Sequence, residues 1–135
     1  MTRENSQLPE NSLEYPYKVY FSACVRGPNG DKATPEEKLI NIERGKTLAT
    51  SLKMKFPNWS LYVPHEHELF IELAWEMKLI TSEAIMKVFC KMVQQRDIIV
   101  AVEEDVELSA GVRLELKAAR KAKKIVLSYE RIMGI

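Results

Sequence analysis

Three groups of residues in this chain could do chemistry. The first is Ser109-Ala110-Gly111-Val112-Arg113-Leu114-Glu115, which follows an apolar run and opens a helical pattern. A serine beside the free amides of a helix's first turn can bind an anion or a hydroxyl, and a glycine there lets a ligand approach the backbone. Glu115 falls four residues after Gly111, so both lie on one helix face and the missing side chain leaves the carboxylate a clear line outward. The same residues also fit a plainer reading, with Ser109 as an N-cap and Glu115 as a surface glutamate. The second group is Arg26 ahead of Gly27-Pro28-Asn29-Gly30, whose fork of donors suits a phosphate as well as it suits a solvated loop. The third is His65-Glu66-His67-Glu68. Zinc needs three or four fixed ligands, and no His-Glu-x-x-His helix or cysteine cluster accompanies these histidines. The expectation is no metal and a loop histidine, His65, at a pocket rim.

Short apolar runs alternating with helical patterns must position these residues. Tyr17 to Cys24 is rich in β-branched and aromatic residues and breaks at Gly27-Pro28, so it reads as a buried strand entering a loop. Thr34-Pro35-Glu36-Glu37 supplies a cap, a first-turn proline and a capping box. The helix it opens is expected to turn Leu39, Ile42, Gly45, Leu48, Ala49, Leu52 and Phe56 inward until Pro57 stops it. Trp59 to Val63 is a second strand, and Phe70, Leu73, Ala74 and Met77 suggest a helical piece. Thr81 or Ser82 caps a helix burying Ile85, Val88, Phe89 and Met92. Ile98 to Val102 is the clearest strand, Ser109 to Ala122 a helix, and Ile125 to Ser128 the last strand. The lysines from Lys117 to Lys124 complement that helix's dipole and read as a solvated face rather than a nucleic-acid surface. This alternation predicts right-handed βαβ units. It implies a three-layer α/β fold, flavodoxin-like or Rossmann-like, with roughly four or five mainly parallel strands in the order 2-1-3-4. Ligands of such sheets bind beyond the carboxyl ends of the strands where the order reverses. That rule gathers Ser22, Arg26, Asn29, Asp31, His65, His67, Glu103, Glu104, Asp105, Ser109 and Glu115 at one crevice.

Length and composition bound the rest. The 135 residues suit one domain of roughly 100 to 200. With 46% hydrophobic and 29% charged residues, collagen-like and fully disordered chains are excluded. Twenty Lys+Arg against 19 Asp+Glu give a net charge of +1, which favours neither a nucleic-acid binder nor an acidic tail. Cys24 and Cys90 make neither a disulfide framework nor a four-thiolate site. No apolar run nears the ~20 residues of a membrane span and the N-terminus has no signal core. The expectation is therefore a reduced, cytoplasmic protein with no nucleic-acid or membrane partner. Residues 1–16, polar and holding Pro9 and Pro16, read as a tail outside a single domain over 17–135. From His65 to Leu79, the side chains Leu69, Phe70, Ile71, Leu73, Ala74 and Trp75 exceed what one small sheet covers, which predicts a homo-oligomer.

Ser-x-Gly-x-x-x-Glu after a third strand resembles the nucleoside 2-deoxyribosyltransferase-like superfamily, in particular its small bacterial and phage members of unassigned function. Val19 to Pro28 is similar to that group's first strand and Arg-Gly-Pro-type loop. Thr34-Pro35-Glu36-Glu37 with Asn41-Ile42-Glu43-Arg44 resembles its first helix, and Arg96-Asp97-Ile98-Ile99-Val100 its approach to the third strand. The resemblance covers roughly residues 17 to 128 and implies an enzyme acting on the N-glycosidic bond of a nucleoside or nucleotide, by transfer or hydrolysis, without a cofactor. In it Glu115 would be the nucleophile at the anomeric carbon. Substrate would be bound by Ser22, Arg26, Gly27, His65, Ser109 and Gly111. The group usually carries acidic residues just before the motif's glycine, where this chain has Ser109-Ala110. A non-catalytic nucleotide-binding or sensing module on the same fold is the alternative. The resemblance also implies a homo-oligomer whose neighbouring subunits complete the pocket.

Overall fold

The strands of this chain are apolar on both sides, and the structure gives each side a layer of helices. The computed structural model describes residues 4–5 and 8–135. Strands β1 (Glu4–Asn5), β2 (Lys18–Ser22), β3 (Ser60–Tyr62), β4 (Ile98–Ala101) and β5 (Ile125–Ser128) form one parallel sheet, ordered β1-β5-β4-β2-β3. Without the two-residue edge strand β1, this is the predicted 2-1-3-4 order. Tyr20 lies opposite Ile99 on one side and Tyr62 on the other, and Ser22 opposite Ala101. The Asp97 carboxylate accepts the Lys18 amide at 2.9 Å and so fixes where β2 and β4 start together.

Helices α1 (Pro35–Lys55), α2 (Glu68–Glu76), α3 (Ser82–Gln94), α4 (Ala110–Lys121) and the short α5 (Tyr129–Met133) complete the chain. Side chains alternate across the sheet, so Val19, Phe21, Ile98 and Val100 meet Ala49, Leu52 and Phe56 of α1 and Ile132 of α5. Tyr20, Ile99 and Ala101 meet Val93 of α3 with Val112, Leu116 and Ala119 of α4. The chain leaves β2 toward β3 but returns past it to β4, which makes β2/β4 the reversal point. No helix among the described residues is long and apolar enough to cross a membrane.

The capping box at Thr34 forms as expected, with the Glu37 amide donating to the Thr34 hydroxyl at 3.1 Å. Two helix faces differ from the sequence expectation. Leu39 is 59% exposed because α1 reaches the sheet only from Gly45 onward, its first turns running past the strand ends. Val88 is 52% exposed because α3 turns Ile85 and Val93 inward instead. Of the stretch expected as a tail, residues 1–3 and 6–7 lie outside the described residues. Within the rest, β1 pairs with β5, and the Ser12 carbonyl accepts the Trp59 indole N–H at 2.8 Å.

His65 departs most from its expectation. It is buried rather than placed at a rim, with its Nε2 3.2 Å from the Cys24 carbonyl oxygen and its ring tilted against Phe21. The notch that admits it is Gly45, where a Cβ would lie 2.3 Å from the ring's Cδ2. Alanine is the better helix former by about 1 kcal/mol, whereas overpacking a core costs about 1–3 kcal/mol. The prediction is that Gly45→Ala lowers the melting temperature although it sits mid-helix, which thermal unfolding followed by circular dichroism measures.

Candidate functional site

Tyr20 and Ser22 are two residues apart on β2, so both side chains point to the face covered by α4. There they meet Glu115, one turn beyond the start of α4. The Ser22 hydroxyl donates to Glu115 Oε1 at 2.7 Å, and the Tyr20 hydroxyl donates to Oε2. The Tyr20 ring is held by Tyr62, stacked at 5.7 Å, and by Phe89, edge-on at 6.4 Å. Glu115 is therefore not the surface glutamate that helix periodicity also allowed; it is 6% exposed.

Burial raises the Glu115 carboxyl to about 7, while the two hydroxyl bonds hold it back. Burial raises the Tyr20 phenol well above its ordinary value, and the neighbouring Glu115 adds to this, so Tyr20 stays a donor. The strand-end rule also gathers the acids Glu103, Glu104 and Asp105 at this crevice. They are committed elsewhere: Arg44 pairs with Glu104 and, at 2.9 Å, with Asp105, and Glu103 meets Arg131 at 3.2 Å. Asp105 also accepts the Cys24 amide at 2.8 Å, which ties the loop after β2 to the loop after β4.

Glu115 opens on a cavity of about 220 Å³ beyond the carboxyl ends of β2 and β4. Pockets for drug-sized ligands run roughly 300–1,000 Å³, so a single small molecule fits this one. One wall is the loop Ala23 to Asp31, where Gly27 (φ +72°) and Gly30 (φ +53°) take left-handed conformations. The opposite wall is the start of α4, where Ser109 accepts the Val112 amide at 3.2 Å as an N-cap. A Cβ on Gly111 would meet only ordinary contacts, the nearest being Met86 Sδ at 3.5 Å, so packing alone does not demand a glycine there. Ile71, Ile85, Met86 and Phe89 supply apolar wall, and Glu68 a second buried carboxyl.

Of the sequence-predicted residues, Glu115, Arg26, Gly27, Ser109 and Gly111 line this cavity. Ser22 does not line it and instead holds Glu115 from behind. His65 is packed against Gly45 and does not reach it. Tyr20 was missed, and Glu68 figured only within the His65-Glu66-His67-Glu68 group weighed for a metal. Strand alternation from Ser22 points to Tyr20, whereas nothing in the spacing of Glu68 singles it out. His67 stacks on Tyr62 at 5.1 Å, apart from His65, so the two histidines do not converge. Compared with known protein families, curated proteins and solved structures, the chain matches none.

A carboxyl raised from 4.5 to about 7 stabilises the fold fully below 4.5, and that contribution is lost as pH rises through 7. In Glu115→Gln this loss is absent. The melting temperature of the variant relative to the parent chain is therefore expected to rise from about pH 4.5 to pH 7 and to level off above it. A constant offset would mean Glu115 titrates as an ordinary carboxylate.

Proposed function

We propose that this chain cleaves the N-glycosidic bond of a nucleoside, with Glu115 as nucleophile, as the resemblance to the nucleoside 2-deoxyribosyltransferase-like group implies. The observation that carries the reading is the Glu115 carboxyl, held by the Tyr20 and Ser22 hydroxyls and opening on a cavity beyond the strand ends. Hydrogen bonds to both oxygens fix the carboxylate's direction and favour its charged form, and its burial keeps most water from it. A carboxylate so placed balances the positive charge that grows on the sugar as the base departs, then bonds to the anomeric carbon. Water or an acceptor nucleobase resolves the ester.

A nucleoside suits the cavity better than its monophosphate. Among the described residues lining it, Arg26 is the lone cation. Its guanidinium lies 3.4 Å from Glu72 and 4.0 Å from Asp31, and a ring face of Trp75 covers it at 5.1 Å. Asp31, Glu68 and Glu115 make the remaining charged lining acidic. The loop arginine is thus held by the protein's own carboxylates, and a phosphate would have to displace them.

The test is base release, followed by chromatography, from purine and pyrimidine nucleosides and their 5′-monophosphates. Wild type is expected to release base from nucleosides faster than from monophosphates. Glu115→Gln is expected to keep its circular dichroism spectrum and lose release, because an amide neither attacks the anomeric carbon nor balances its charge. Equal rates in the two proteins would remove Glu115 from the reaction.

The same proposal extends to assembly with a second copy of this chain. On α2, Leu69 and Phe70 are 77% and 80% exposed, and Leu73, Met77 and Leu79 continue the patch, close to the cavity wall formed by Ile71. Light scattering is expected to give a multiple of 15.6 kDa at micromolar concentration, and Phe70→Lys to return the mass to one chain. A single-chain mass for wild type would contradict this.

A further inference from the structure

Glu68 is the first residue of α2 and only 7% exposed. Among the described residues, no group donates a hydrogen bond to its carboxyl, in contrast to the two hydroxyls that hold Glu115. Its oxygens are not among the buried, unpartnered polar atoms; they face the cavity, where a proton or a ligand can meet them. Glu68 lines the same cavity as Glu115, alongside the apolar wall of Ile71, Met86 and Phe89 where a planar base can lie.

We propose that Glu68 is a second catalytic residue, the general acid that protonates the departing base; this rests on the glycosidic reading above. In the first step the Glu68 carboxyl gives its proton to a ring nitrogen of the base. The C–N bond breaks, its electron pair stays on the base, and a Glu115 oxygen bonds to the anomeric carbon. In the second step Glu68, now a carboxylate, takes a proton from water as the water oxygen bonds to that carbon. The ester bond breaks and its electron pair returns to Glu115. The products are free base and free sugar, with both carboxyls restored.

The two surroundings divide the roles. Hydroxyl donors favour the ionised form of Glu115, the form a nucleophile needs. Burial raises Glu68 to about 7 and Glu72 adds to it, while Arg26 and Lys38 pull it down. Both cations also face Glu72, Arg26 at 3.4 Å and Lys38 at 3.1 Å, so their charge is shared with that neighbour. Burial raises both carboxyls to about 7, so the hydroxyl donors present at Glu115 and absent at Glu68, and not a difference in pKa, are what separate nucleophile from acid.

Two substrates with the same sugar test the assignment, a nucleoside and the p-nitrophenyl glycoside, whose phenolate leaves without a proton. A general acid contributes about 10²–10⁴-fold, so Glu68→Gln is expected to lose that factor in kcat/KM, which reports the cleavage step and not the later attack of water, on the nucleoside and less than about tenfold on the p-nitrophenyl glycoside. Glu68→Ala is expected to recover nucleoside cleavage with added formate. Equal loss of kcat/KM on both substrates, or unchanged nucleoside cleavage, would overturn the role of Glu68 alone. Wild type that cleaves neither substrate would overturn the Glu115 reading, and the Glu68 assignment with it.

Discussion

Everything proposed for this protein depends on one buried carboxyl being held by two hydroxyls. Glu115 reaches the sheet only because α4 packs its Val112, Leu116 and Ala119 against β4 and β5. That packing turns position 115 toward β2 rather than toward solvent. Tyr20 and Ser22 meet it because they share one face of β2, opposite Ile99 and Ala101 of β4. A slip of one residue in the β2/β4 register would replace both hydroxyls with Val19 and Phe21 or with Phe21 and Ala23. The Asp97 bond to the Lys18 amide guards that register at the far end of the strands.

The loops around the carboxyl are organised by charges that do not enter the cavity. Asp105 links the Cys24 amide to Arg44 of α1, joining the loops that follow β2 and β4. Glu72 of α2 meets Lys38 of α1 and Arg26, so α2 is held over the loop wall of the site. Trp75 sits under both cations at 5.1 Å and shields them from water, where such contacts strengthen. These half-buried pairs fix geometry more than they add stability. They leave Glu68 and Glu115 as the carboxyls that face the cavity without a cation bonded to them.

Much of this was legible in the sequence. The strand order followed from alternation and handedness, and the Ser-x-Gly-x-x-x-Glu spacing gave the helix that carries Glu115. Tyr20 was within reach of the same rule, since alternation from Ser22 selects it. Glu68 and His65 were not legible, because their surroundings are set by contacts between distant elements. His65 lies in the core only because Gly45, twenty residues earlier on α1, leaves room for its ring. Glu68 is buried because α2 presents Ile71, Glu72 and Trp75 to the protein and leaves Phe70, Leu73 and Met77 outside. Hydropathy alone favours the opposite face, and the ion pairs of Glu72 override it.

The most direct measurement of the central claim is the mass of the protein acid-quenched during turnover of a 2-deoxynucleoside, with the labelled peptide identified by fragmentation. If Glu115 is the nucleophile, the chain gains the mass of one sugar residue, borne by Glu115 on the peptide that begins α4. Base release with no sugar on the protein, or with sugar on a residue other than Glu115, would contradict the account.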